Sequence, residues 1–152
     1  MQATIISDTS CLILLYKIDS LNLLERLFTT VITTQTVADE FGENLPKWII
    51  IQNPKDRKNQ RVLEALLDKG EASAIALALE QSNCLLIIDE IKGRKLAKQL
   101  GLTITGTLGV LAEAKISGLI PLVRPLIDKI KQTDFRLSKQ LEIEILKLIG
   151  EY

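Results

Sequence analysis

The chain contains no histidine, and that absence decides which chemistry is open to it. Ser–His and Cys–His nucleophiles, histidine-ligated metals and histidine general bases are all excluded. Carboxylates, hydroxyls, lysine, arginine and a bound cation remain. Asp8 directly follows the apolar run Thr4–Ser7, and Asp89 and Glu90 follow the run Leu85–Ile88. If both runs are buried strands, these acids stand at strand carboxyl ends on one rim of a sheet. Carboxylates crowded there lose hydration and repel one another unless something positive lies between them. Mg²⁺ or Mn²⁺, which favour hard oxygen ligands, suits such a place. The plainer alternative is that Asp8 caps the following helix and Asp89 starts a turn.

Two further acids belong with these. Glu40 lies beside Asp39 in the helical stretch Thr36–Phe41, where a glutamate could equally be a solvated face residue. Glu71 opens the alanine-rich stretch Glu71–Gln81 just after Gly70. The small side chains Ala72 to Ala78 predict close packing on the sheet, which would put Glu71 at the rim. The alternative is a surface charge favoured by the helix N-terminus, worth under ~1 kcal/mol.

The elements that must position these acids follow from the apolar pattern. Strands are expected at Thr4–Ser7, Val31–Thr33, Leu85–Ile88 and Leu102–Thr105, with Trp48–Ile51 a short strand or an apolar loop. Helices are expected at Ser10–Lys17, Leu21–Leu27, Thr36–Phe41, Lys58–Leu67, Glu71–Gln81, Ile91–Leu100 and Thr107–Ile116. One more begins at Pro121 and runs to about Gln132, and a last amphipathic helix is capped by Ser138 and ends at Leu148. Strands separated by helices predict an α/β fold, a three-layer α/β/α sandwich around a mainly parallel sheet. In such sheets ligands bind at the carboxyl ends of the strands.

The 152 residues suit one domain spanning 1–152, and 47% of them are apolar, a globular composition. No apolar run approaches the ~18 residues needed to span a bilayer. The N-terminus has no basic segment followed by a long apolar stretch, so a cytoplasmic protein is expected. Cys11 and Cys84 both sit in apolar runs and read as buried thiols, and no CxxC zinc pattern is present. The 19 basic and 19 acidic residues cancel, so any polyanion site must be a local cluster.

At this point the ordered set of segments resembles a known family. Ser7-Asp8-Thr9-Ser10, Val37-Ala38-Asp39-Glu40, Gly70-Glu71-Ala72-Ser73-Ala74-Ile75-Ala76-Leu77-Ala78, Ile88-Asp89-Glu90-Ile91-Lys92-Gly93-Arg94 and Gly106-Thr107-Leu108-Gly109-Val110-Leu111 together look like a PIN domain. The nearest resemblance is to the prokaryotic PIN-like branch related to toxin–antitoxin ribonucleases. It implies a Mg²⁺- or Mn²⁺-dependent nuclease acting on single-stranded RNA. It also implies a homodimer and, for a toxin, a small antitoxin protein as partner. By the same resemblance Asp8, Glu40 and Glu71 fall on acidic metal-site positions. The last such position is met by Asp89 or Glu90, and relatives often carry two aspartates there. The reaction implied is metal-assisted phosphodiester hydrolysis by a water whose pKa the cation lowers.

Around the acids, Ser10 is expected to orient Asp8 or a phosphate, or else to be a plain helix cap. Lys92, Arg94, Lys95 and Lys98 form a basic cluster that could clamp an RNA backbone, or else a solvated helix face. Thr107, in the loop Gly106-x-x-Gly109, is expected to reach the site and touch substrate. Aromatics are 4% of the chain, so stacking platforms for bases are scarce. The apolar stripe Leu141, Ile145, Leu148 and Ile149 covers the core or forms a dimer face. A rival reading, favoured by Glu90 where an aspartate is usual, is a catalytically weak PIN-like module that binds nucleic acid or protein. A response-regulator receiver would need an acid pair after the first strand, and only Asp8 stands there.

Overall fold

The structure, a computed structural model, describes residues 4–152. Its five strands are β1 (Thr4–Ser7), β2 (Thr30–Thr33), β3 (Ile49–Ile51), β4 (Leu85–Ile87) and β5 (Thr103–Thr105). They pair in parallel throughout, in the order β3-β2-β1-β4-β5. Successive strand side chains point to opposite faces, and both faces are covered. Ile5, Val31, Ile49 and Ile87 enter one apolar cluster, while Ile6, Ile32, Leu86 and Ile88 enter the other. That is why the strands read as unbroken apolar runs rather than as alternating ones.

Among the described residues the helices are α1 (Thr9–Lys17), α2 (Asn22–Leu27), α3 (Gln35–Phe41), α4 (Arg57–Glu64), α5 (Lys69–Leu79), α6 (Ile91–Gln99), α7 (Thr107–Ile116), α8 (Arg124–Lys131) and α9 (Lys139–Leu148). Core residues of α1, α2, α7 and α8 join the first cluster, and those of α4, α5 and α6 join the second. The expected three-layer α/β/α sandwich is therefore the architecture found, with a sheet that is wholly parallel. From β1 the chain builds outward through β2 to β3, then returns to the other side of β1 to lay down β4 and β5. This reversal puts a topological switch point between β1 and β4, where ligands of open α/β sheets bind. Asp8 and Asp89 stand at the ends of those two strands.

Several boundaries differ from the sequence expectation for local reasons. Helix α8 begins at Arg124, not at Pro121. Pro125 takes the first turn, where a missing N–H costs nothing. The backbone N–H groups of Val123 and Arg124 are capped from a distance by the Glu151 carboxylate, at 2.7 and 3.0 Å. Helix α5 begins before Gly70, because Asp68 caps it by accepting from the Glu71 N–H at 2.9 Å. Trp48 lies in the turn before β3. Cys11 is buried as expected, but Cys84 is only half-buried at the approach to β4. No helix among the described residues is long and apolar enough to cross a membrane.

Glu151 ties the last residues to the fold. Its side chain is almost buried and also holds Lys115 Nζ at 3.0 Å. Burial alone would raise its carboxyl, but the N–H groups of Val123 and Arg124 together with the Lys115 ammonium outweigh that and hold it below the ordinary value. Glu151→Gln exchanges one acceptor oxygen for N–H donors that face other donors. A cost of roughly 1–3 kcal/mol is expected, seen as a melting temperature lower by about 3–10 °C. An unchanged thermal midpoint would show that this cap carries no load.

Candidate active site

Asp8 occupies the N-cap position of α1 in extended conformation, yet its side chain makes no capping hydrogen bond. Its backbone N–H instead donates to Ile87 O at 3.0 Å, lashing the end of β1 to the end of β4. The residue is 3% exposed, and Oδ1 is buried with no hydrogen-bond partner. A buried, unpaired carboxylate oxygen is costly, so the plain cap reading of Asp8 does not account for it.

The neighbouring acids reach the same rim from four other places. Glu40, on exposed ground in α3, accepts from Thr9 Oγ1 at 2.6 Å. Glu71 lies in the first turn of α5 and is only 5% exposed. Asp89 is held at both oxygens by one residue: Thr107 N–H donates to Oδ1 at 2.8 Å and Thr107 Oγ1 to Oδ2 at 2.6 Å. Glu90 takes the N-cap position of α6, exposed and without a cap bond.

Glycines allow this crowding. The Glu40 carboxylate lies in the space that a Cβ on Gly70 would fill, with Thr9 Oγ1 3.0 Å from that point. Glu71 Oε2 lies 3.2 Å from the Cβ position of Gly93, and Asp89 Oδ1 lies 2.7 Å from that of Gly106. Three acids thus pack against bare backbone.

The electrostatics follow from that packing. Burial pushes the Asp8 carboxyl up to about 7; the Thr9 backbone N–H opposes this, and the charges of Asp68, Glu40 and Asp89 add to it. Burial also raises Glu71, to about 8, followed by the charges of Asp68, Asp8 and Glu90. The rim is therefore an electronegative pocket whose two most buried carboxylates are poorly tolerated as anions. Its donors are hard oxygens and include an unpartnered buried one, so a Mg²⁺- or Mn²⁺-type cation fits the set. Even so, among the described residues no three acids stand close enough to form a ready-made cage. Thr9 and Thr107 fix two of the arms.

The structure places the other sequence candidates differently. Ser10 makes no hydrogen bond to Asp8; it is exposed and lines a surface groove with Ile13, Leu14, Lys17, Asp134 and Phe135. Thr107 is buried, and both its donors go to Asp89, so it orients that carboxylate instead of facing substrate. Arg94 Nη1 donates to Ile88 O at 2.7 Å, which ties the guanidinium beside the β4 rim. Arg94 and Asp89 share a cleft of about 310 Å³ with Ile91, Ile104, Gly106 and Leu141. Lys92, Lys95 and Lys98 lie three apart on α6, all exposed, and none is ion-paired among the described residues.

Two residues of this rim carried no weight in the sequence reading. Asp68 had a local signal, since Asp68-x-x-Glu71 is a helix-start pattern. Thr9 had none, because its partner Glu40 lies 31 positions away. The Thr107 contact yields a prediction. Thr107→Val keeps shape but removes the Oγ1 donor, and loss of such an orienting bond typically lowers metal affinity or activity ~10–100-fold. Mn²⁺ titration and cleavage assays on the folded variant should show that loss, and wild-type values would mean Asp89 needs no second anchor.

A family model described as a PIN domain matches residues 4–151. A comparison with curated proteins gave no match.

Proposed function

This chain belongs to the PIN-domain family, and on that premise we propose that it is a divalent-cation-dependent endoribonuclease that hydrolyses single-stranded RNA. The family generally has nuclease activity and uses divalent ions. The observation that carries the reading is Asp8: a buried carboxylate with an unpartnered oxygen, facing the charges of Asp68, Glu40 and Asp89. Among the described residues the Thr9 backbone N–H offsets that arrangement only in part, whereas a cation would neutralise it.

Asp8, Glu40, Glu71, Asp89 and Glu90 would hold Mg²⁺ or Mn²⁺. When bound, the cation supplies a water of lowered pKa and neutralises charge on the scissile phosphate. Thr9 and Thr107 fix the Glu40 and Asp89 carboxylates, so that little reorganisation remains at the moment of reaction. The exposed lysines Lys92, Lys95 and Lys98 begin two residues beyond Glu90 and would grip backbone phosphates without reading sequence. Arg94, already tied to Ile88 O, would present its remaining N–H donors to the cleft beside Asp89. The family resemblance adds a homodimer acting in the cytoplasm, with a small antitoxin protein as partner.

The test is direct. Purified protein is incubated with end-labelled single-stranded RNA in Mn²⁺, in Mg²⁺ or in EDTA, alongside Asp8→Asn. Cleavage that requires metal and disappears in the variant is the expected result. Among the described residues no three acids form a preformed cage, and this favours one rival, a binding module without useful catalysis. Retention of RNA on the protein with no cleavage at any metal concentration would establish that rival.

A further inference from the structure

We propose that the cleft beside Asp89 is a nucleobase subsite that takes the base next to the scissile phosphate. It favours uracil and guanine, whose keto oxygens accept hydrogen bonds, over cytosine and adenine, whose amino groups donate there. This inference rests on the ribonuclease reading and adds to it a base preference and the residues that set it.

The cleft lies between α6, the end of β5 and α9, and its volume of about 310 Å³ falls at the small end of the ~300–1,000 Å³ range of small-molecule sites. It adjoins the acidic rim, since Asp89 is part of its lining. Its walls are aliphatic: Ile91 on α6, Ile104 on β5, and Leu141 and Ile145 on α9. Ile91 is 80% exposed and Leu141 44% exposed, so core packing does not account for either at the edge of a charged rim. Gly106 and Gly109 also line the cleft, and bare backbone lets a flat ring come close. Such walls bury the faces of a base without an aromatic partner, in a chain where aromatics are only 4% of residues. Lys92, Lys95 and Lys98, exposed on the same helix as Ile91 and Arg94, supply the phosphate grip that brings the bases of a strand to this face.

The polar groups of the cleft select the edge of the ring. Arg94 Nη1 donates to Ile88 O at 2.7 Å, which anchors the guanidinium. Among the described residues Arg94 forms no ion pair, so its other N–H groups remain to donate. Asp89 Oδ1 and Arg94 Nη1 crowd the same Cβ position of Gly106, at 2.7 and 3.0 Å, so the guanidinium stands beside the rim acid. Both Asp89 oxygens already accept from Thr107. A guanidinium donates and never accepts. Uracil O4 and guanine O6 meet it as acceptors, whereas cytosine N4 and adenine N6 set donor against donor.

The test reads binding of fluorescein-labelled decamers of uridine and of cytidine to the full chain, by anisotropy in EDTA at low salt and pH 8. The wild type should bind the uridine decamer about fivefold more tightly, the worth of one ordinary hydrogen bond. Arg94→Gln, whose amide both donates and accepts, should bring the two affinities within twofold of each other. Ile91→Ala and Leu141→Ala should each weaken both decamers about fivefold, the scale of an aliphatic side chain taken out of contact. Leu148→Ala should change neither, because that exposed residue of α9 lies outside the cleft. Melting temperatures check the fold of each variant, and the wild-type ratio decides the matter should Arg94→Gln not fold. Equal affinity of the wild type for the two decamers overturns the inference, as does binding within twofold of wild type by both Ile91→Ala and Leu141→Ala. Metal-dependent cleavage with no base preference removes the subsite and leaves the ribonuclease reading standing. A clear uridine preference in binding with no cleavage in Mn²⁺ keeps the base subsite and overturns the ribonuclease reading.

Discussion

Replacing Asp8 by Asn is expected to stabilise the metal-free protein while abolishing its metal-dependent cleavage. Burial and three neighbouring acids push the Asp8 carboxyl up to about 7 from an ordinary 3.8. At pH 8 it is therefore ionised against its surroundings, an effect with a ceiling near ~4 kcal/mol at about 1.4 kcal/mol per pH unit. Relaxation and water entry lower that figure, and a working gain of roughly 1–3 kcal/mol corresponds to a melting temperature higher by about 3–10 °C for a domain of this size. The asparagine N–H₂ would stand where an unpartnered oxygen stood and would face neighbouring carboxylates as a donor. Cleavage, in contrast, should fall by a factor of about 10³ or more, on the scale seen when one preorganised electrostatic group is removed from an active site. Stability gained with activity lost is the pattern of a strained functional site. A variant that is less stable than wild type in EDTA would contradict the account.

The same reasoning fixes the sign of the pH dependence. Asp8 and Glu71 bind their protons more tightly folded than unfolded, with folded values of about 7 and 8. Between roughly pH 4 and pH 8 the folded state thus holds more protons than the unfolded state, and stability falls as pH rises through that window. With no histidine in the chain, few other groups titrate between pH 5 and 8. The melting temperature in EDTA should decline over that range, and Asp8→Asn should flatten part of the decline. Mn²⁺ should reverse it, raising the midpoint more at pH 8 than at pH 5.5, because the ion competes with protons for the same oxygens.

How much of this was readable in advance depends on distance along the chain. The strands were legible because two-faced burial leaves an unbroken apolar signature, as in Thr4–Ser7 and Leu85–Ile87. The acids Asp8 and Asp89 were legible because strand ends are, and their place at the switch point follows from the strand order. What escaped was set by contacts between distant segments. Thr9 with Glu40, Thr107 with Asp89, and Glu151 with the start of α8 are 31, 18 and 27 or 28 residues apart. No local pattern encodes such pairs. Pro121 misled for the same reason: the cap that starts α8 at Arg124 comes from the far end of the chain. Ser10 misled through adjacency, since the hydroxyl that reaches an acid belongs to Thr9, one position earlier on the helix.

Gly70→Ala should separate the site from the fold more cleanly than any change to an acid. The added Cβ would occupy the space now held by the Glu40 carboxylate and would stand 3.0 Å from Thr9 Oγ1. Glu40 lies on exposed ground, so its flexible side chain can swing into solvent, giving up the 2.6 Å hydrogen bond from Thr9. That movement is inexpensive for folding, and alanine in the first turn of α5 returns up to ~1 kcal/mol of helix propensity. The metal-free melting temperature should therefore stay within about 4 °C of wild type. The function should not survive as well. One carboxylate arm leaves the pocket, so Mn²⁺ affinity and cleavage should each fall at least ~10-fold, the scale of losing an orienting partner. Gly101 supplies the mirror-image control. Its φ of +83° strains an alanine, but nothing lies within 4 Å of the added carbon. Gly101→Ala should thus cost roughly 1 kcal/mol of stability and leave cleavage unchanged. If Gly70→Ala cleaves at the wild-type rate with Glu40 displaced, that glutamate has no part in the reaction, and the pocket works with the remaining acids alone.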